Sequence, residues 1–191
     1  NADVPYPVTL PGTRIIARHH ASEWNQKGLW TRTRDVHLTE YGFLQSNELG
    51  GLLKNTRIDH AFASMQVRAI ETLSCMLNTI GLYHVPTEYV HALDERDYGD
   101  YTGKNKWEME KLTGKEAFDH MRRDWEYPIP HGETLKEVYG RVVPFYTTDV
   151  LPLLTAGRNV LVVSHGNATR AHLRYRESGP PEKDAEREVR L

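Results

Sequence analysis

Cysteine is nearly absent from this chain: Cys75 stands alone among 191 residues, which rules out an internal disulfide and fits a reducing compartment. No apolar run approaches the roughly 20 residues that a spanning helix needs, so a membrane is not expected as a partner. The opening stretch NADVPYPVTLPG lacks both a basic segment and a long apolar one, and residues 1–12 read as an irregular extension rather than a secretory signal. These absences together lead to the expectation of a cytoplasmic protein. A cationic surplus is missing too. Lys and Arg number 24 against 26 Asp and Glu, a net charge of -2, which gives no support to nucleic acid as a partner. The chain carries no repeat, no low-complexity tract, and neither an HxxxH nor an HExxH pattern.

Against these absences stands a regular alternation of β-rich and helical segments. Thr13 to Ala17 is a short β-rich run. LTEYGFLQSNELGGLLKN follows as a helix capped by Thr39, with Tyr41, Leu44, Leu49 and Leu52 within one broad face. HAFAS (His60 to Ser64) reads as a second strand, QVRAIETLSCMLNTIG as a helix closed by Gly81, and PTEYV as a third strand. The region from Leu93 to His131 mixes loop and helix signals. Thr134 and Glu137 have the spacing of a capping box, opening a helix that Pro144 bends and Gly157 ends. NVLVVS (Asn159 to Ser164) is a continuous apolar run suited to burial on both faces. Strands alternating with helices predict an α/β fold with a mostly parallel central sheet, and 191 residues fit one domain with a real core.

In such sheets the ligand lies beyond the carboxyl ends of the strands. Four clusters fall there: Arg18-His19-His20, Ser64 to Arg68, Leu93 to Gly99, and His165-Gly166-Asn167. If the first and last strands are neighbours, two histidines converge. A metal site is not expected, because adjacent residues such as His19 and His20 project to opposite faces of an extended chain, and Arg18 and Arg68 would repel a divalent ion. The cations argue the opposite way. Arg18, Arg68, Arg96, Lys106, Arg122 and Arg123 all lie on or near the predicted ligand edge, and guanidinium forks bind phosphate oxygens in pairs. A neutral imidazole among them suits nucleophilic phosphoryl transfer, catalysed by positioning and electrostatics. Plainer readings stand beside each assignment: Glu95 as a surface partner of Arg96, Tyr98 as packing, Arg122-Arg123 as a solvated helix end.

The stretches ARHHASEWN, QKGLWTRTRDVHLTEYG, SMQVRAIETL, LDERDYGDYTGKNKWE, RRDWEYPIPHGETLKE and VVSHGNATRA occur in this order. From about Thr13 to Arg174 the chain thereby resembles the cofactor-dependent phosphoglycerate mutases of the histidine phosphatase superfamily. The resemblance implies a three-layer α/β/α fold and an enzyme interconverting 3-phosphoglycerate and 2-phosphoglycerate in glycolysis and gluconeogenesis. It implies a phosphohistidine intermediate, 2,3-bisphosphoglycerate as phosphoryl primer, no metal, and a small phosphorylated substrate as partner. In those terms His19 is the nucleophile, Arg18, Arg68 and His165 hold the phosphoryl oxygens with help from Asn25, and Glu95 is the general acid and base. Thr31, Arg32, Arg96, Tyr98, Lys106, Arg122, Arg123, Gly166 and Asn167 are implied on the substrate side. Two alternatives stay open: a histidine phosphatase hydrolysing small phosphate esters, and a non-catalytic phosphate-binding relative. The oligomeric state is not legible, though a homodimer is compatible with it.

The departures from the family pattern are local. His20 replaces the usual glycine after the nucleophile, Ala21 stands where an acidic residue is common, and Thr31-Arg32-Thr33 replaces T-G-W. The segment RESGPPEKDAEREVRL is expected to stop short of the strand and tail with which family members continue.

Overall fold

A computed structural model of the protein describes residues 11–30, 36–177 and 187–190. The elements run β1 (Thr13–Arg18), α1 (Glu23–Gln26), α2 (Glu40–Leu52), β2 (His60–Ser64), α3 (Val67–Thr79) and β3 (Thr87–Val90). After two 3-10 turns come α4 (Lys106–Thr113), α5 (Lys115–Arg123), α6 (Leu135–Phe145), α7 (Leu151–Thr155), β4 (Val160–Ser164), α8 (Gly166–Glu177) and β5 (Arg187–Arg190). The five strands form one sheet in the order β3-β2-β4-β1-β5, every pair parallel. Parallel neighbours require crossovers, and the helices between the strands provide them.

Alternation along the strands divides the core into two layers. Ala61 and Ala63 of β2 and Leu161 and Val163 of β4 pack toward Leu73 and Met76 of α3. Phe62, Val160 and Val162 face the other way, against Phe145, Val150 and Leu154. Helices on both sides of a buried sheet give the three-layer α/β/α architecture. Because both faces of β4 are covered, all five of its residues are buried, as its unbroken apolar run predicts. Among the described residues no helix is long and apolar enough to cross a membrane.

Three expectations need correction. Of the four residues expected on the inward face of α2 only Leu49 packs on the core; Tyr41, Leu44 and Leu52 are exposed, and the buried positions are Gly42, Ser46 and Gly50. A Cβ on Gly42 would fall 2.1 Å from the carbonyl oxygen of Ala21, and one on Gly50 2.8 Å from that of Met76. Close backbone approach therefore wins over apolar area in seating this helix. The helix opened by Thr134 is not merely bent at Pro144: α6 passes into a wider π turn at Tyr146–Val150 before α7 resumes. Prolines at 144 and 152 remove two ladder donors, and the wider turn accommodates their rings. Finally, Arg187–Arg190 forms a strand parallel to β1 where none is expected, with Ile15 registered on Val189. The glycine-poor loop after β1 shows no strain either, since the single described non-glycine residue with positive φ is His131, not His20.

Candidate active site

The register of the sheet builds the centre of the site. Arg18 at the end of β1 lies opposite Ser164 at the end of β4, and the His19 amide donates to the Ser164 carbonyl at 3.0 Å. His19 and His165, 146 positions apart in sequence, thus leave the sheet side by side, with ring centroids 4.9 Å apart and planes tilted by 52°. His19 is 8% exposed and His165 fully buried. The His19 Nδ1 lies 2.8 Å from the carbonyl oxygen of His20. A carbonyl can only accept, so Nδ1 carries the proton and Nε2 keeps its lone pair. His165 Nε2 meets the Ser64 hydroxyl at 2.7 Å, and its Nδ1 is buried with no hydrogen-bond partner among the described residues. An orphaned ring nitrogen beside a neutral imidazole is a place where a bound oxyanion would supply the missing contact.

Both imidazoles are held neutral. Burial, then the charge of Arg68, lowers His19 to a pKa of about 3. Burial, then Arg68 and His19, holds His165 well below the ordinary imidazole range. Arg68 sits in the first turn of α3 with no exposure, and its Nη2 donates to Gln66 Oε1 at 3.2 Å. The cations that keep both rings uncharged also make the hollow attractive to a phosphoryl dianion.

Outward of the histidines lies a cavity of about 90 Å³, into which Arg18, His19, Asn25, Glu95, Tyr98, Lys106, Arg122, Gly166 and Asn167 all reach. The side chain of Asn25 closes a capping box with Ser22, accepting the Ser22 amide at 2.7 Å, which leaves its own NH2 group as donor. Burial, then the neighbouring charge of Arg122, holds Lys106 below its ordinary value. Tyr98 is pushed up to about 12 by burial and by Glu95, so its phenol stays protonated, and Asn167 Nδ2 donates to its oxygen at 2.7 Å.

Glu95 is positioned from several sides. Its Oε1 accepts the amides of Arg96 (2.8 Å) and Asn167 (3.3 Å), the second at the start of α8, where a negative group is favoured. Its own amide donates to Gln66 Oε1 at 3.1 Å, and its carbonyl accepts from Arg141 Nη2 at 3.1 Å. Arg141 in turn is forked by Glu133 at 2.9 and 3.0 Å. Burial opposes ionisation of Glu133, yet its bonds to Arg141 prevail and hold its carboxyl below the ordinary value. The loop ends at Gly99, whose φ is +48° and whose missing Cβ would lie 2.0 Å from the Pro130 carbonyl oxygen, so only glycine fits.

The structure redistributes some expected roles. Arg96 does not line the cavity. It is fully buried, and its guanidinium donates to the carbonyls of Glu133, Met121 and Tyr127 at 2.8, 3.2 and 3.3 Å, so it braces the loop rather than clamping a substrate. Arg123 points to a neighbouring cavity instead. Arg68 does not line the cavity, although its charge acts on both histidines. Thr31 and Arg32 lie outside the described residues. Arg170 is a site cation that sequence reasoning missed, although it stands one turn after Asn167 on α8 and donates to it at 3.1 Å. Ser64, Gln66 and Arg141 were missed as well. The first two sit in the flagged cluster after β2, but nothing local marks Arg141.

Known proteins show the same arrangement of sequence. The family described as the histidine phosphatase superfamily (branch 1) matches residues 15–190. A 2,3-bisphosphoglycerate-dependent phosphoglycerate mutase of Rhodopseudomonas palustris is 41% identical over 177 residues, 92% of this chain and 86% of that protein. A protein of the same name from Sinorhizobium fredii is 40% identical over 164 residues, 85% of this chain and 78% of that one. Among solved structures, a phosphoglycerate mutase from Bacillus anthracis shares the fold at a TM-score of 0.78, with 22% identity, over 89% of this chain and 82% of that one. An alpha-ribazole phosphatase from Shigella flexneri does so at 0.72 and 24% identity, over 88% and 81%.

Proposed function

The chain belongs to branch 1 of the histidine phosphatase superfamily, and from there we propose that it interconverts 3-phosphoglycerate and 2-phosphoglycerate through a phosphohistidine at His19. The observation that carries this reading is the buried pair of neutral imidazoles, 4.9 Å apart, one with a free Nε2 lone pair and the other with an unpartnered Nδ1. The choice of mutase is supported by relatives of that name at 38–41% identity over most of the chain. On this reading the protein serves glycolysis and gluconeogenesis.

The residues present fit a bisphosphorylated guest, with Arg18, Lys106, Arg122 and Arg170 around one cavity and the orphaned Nδ1 of His165 on the ring beside His19, which lines it. 2,3-Bisphosphoglycerate, when bound, supplies the phosphoryl group that charges His19. His19 Nε2 forms a P–N bond as the ester P–O bond in line with it breaks, and Nδ1 keeps its proton on the His20 carbonyl throughout. His165 Nδ1, Arg18 and Asn25 meet the three spreading oxygens, with Arg68 adding its charge. Glu95 gives a proton to the departing alkoxide and, in the return direction, takes one from the incoming hydroxyl. Lys106 and Arg122 hold the carboxylate and second phosphate. The phenol of Tyr98, uncharged at any physiological pH, adds a neutral contact beside Glu95.

The test is direct. The protein is incubated with 2,3-bisphosphoglycerate, acid-labile phosphohistidine is measured, and 3-phosphoglycerate is then added. Appearance of 2-phosphoglycerate supports the reading; release of orthophosphate makes the protein a hydrolase instead; no labelling, or labelling that survives in His19→Ala, overturns it.

A further inference from the structure

A second and larger cavity opens beside the first. It measures about 340 Å³, within the roughly 300–1,000 Å³ of small-molecule sites, whereas the catalytic cavity measures about 90 Å³. The two share a wall, since Arg122, Asn167 and Arg170 line both. Beyond that wall the larger one is bounded by Arg123, Trp125 and Arg174. Among the described residues, four arginines and no carboxylate line this hollow, in a chain whose net charge is -2. Like charges gathered in one concavity raise the local potential, and an anion entering it relieves their repulsion. The forks are also oriented: Arg174 lies 3.7 Å from the centroid of the Trp125 ring, and Arg170 Nη1 is tied to Asn167 Oδ1.

We propose that this annex binds the distal anionic group of a phosphate ester longer than a three-carbon phosphoglycerate, its reacting phosphoryl at His19 and its second phosphate or diphosphate forked by Arg170, Arg123 and Arg174. The inference rests on phosphoryl transfer at His19 and widens the substrate class to compounds carrying a remote polyanionic group. Arg122, Asn167 and Arg170 line both hollows, so an extended ligand crossing this edge keeps a cationic or amide donor on either side of it.

Inorganic tripolyphosphate and orthophosphate serve as long and short probes, titrated calorimetrically into the wild type, Arg174→Glu and Lys54→Glu. Arg174 is exposed and lines the annex alone, and Lys54 is an exposed cation on neither cavity wall. Tripolyphosphate is expected to bind the wild type at least about tenfold more tightly than orthophosphate, since two forked contacts outweigh one. Arg174→Glu should erase that advantage and leave orthophosphate binding unchanged, while Lys54→Glu should preserve both. Equal affinities for the two probes in the wild type, or equal losses in the two variants, would overturn the annex. Competition with 2,3-bisphosphoglycerate in the labelling assay supports one spanning ligand, and purely non-competitive inhibition refutes spanning. Failure of His19 to label at all would defeat the phosphoryl-transfer reading, yet the calorimetry would still decide whether the annex binds polyanions.

Discussion

Acid should destabilise this protein through His19. His19 has a pKa of about 3 in the folded chain against an ordinary value of 6.5, so between those limits the unfolded chain holds a proton that the folded one refuses. Stability therefore rises with pH across this window and is lost as pH falls below about 6.5. Going from pH 7 to pH 5, linkage at this one site removes about 2 kcal/mol of folding free energy. His165, lowered by the same burial and the same arginine, adds a loss of the same sign. His19→Gln deletes the first contribution and keeps the second. Urea unfolding of both proteins at pH 7, 6 and 5 should show the wild type losing about 2 kcal/mol more than the variant over that range. With a slope of roughly 1–3 kcal/mol per molar urea, this is a difference of about 1 M in the shift of the midpoint. Parallel pH slopes in the two proteins would refute the claim that the folded structure keeps His19 unprotonated.

The other predictions concern single contacts. His165→Ala should slow charging of His19 by roughly 10²–10³, the usual loss for one preorganised donor, measured by rapid quench; an unchanged rate would count against its role. Arg96→Met should strand the carbonyls of Glu133, Met121 and Tyr127. A cost of about 3 kcal/mol or more follows, seen as a fall in Tm of roughly 10 °C, whereas a substrate-clamping role would raise KM with Tm intact. Gly99→Ala should cost more than about 1 kcal/mol and slow turnover by shifting the Glu95 loop; calorimetry matching the wild type would contradict the steric argument. Tyr98→Phe leaves Asn167 Nδ2 without its acceptor and should cost about 1–3 kcal/mol in thermal unfolding, a prediction refuted by an unchanged Tm.

Much of this architecture can be read from local sequence because local physics determines it. The unbroken apolar run of β4 demands two covered faces, the Thr39 and Thr134 caps accept the amides of Gly42 and Glu137, and His165 stands where a polar group must find a use. Residue type predicted poorly wherever tertiary placement decides. Arg96 and Arg122 are indistinguishable as letters, yet one is spent on three backbone carbonyls and the other faces the cavity. Periodicity misled on α2, because it counts apolar side chains and cannot see that two backbones approach closely at Gly42 and Gly50. Arg141 was invisible for a further reason: it acts through carbonyls at positions 92 and 95, which carry no side-chain signature.

The insertion of β4 between β1 and β2 bears on the order in which the molecule can assemble. On the ribosome, the first two strands emerge long before the strand that joins them, so the sheet cannot zip outward from its centre until about residue 164 has been synthesised. Such late, long-range pairing makes for slow folding. It also separates the two imidazoles in time: His19 is synthesised 146 residues before His165, so a nascent polypeptide carries the one well before the other can pair with it.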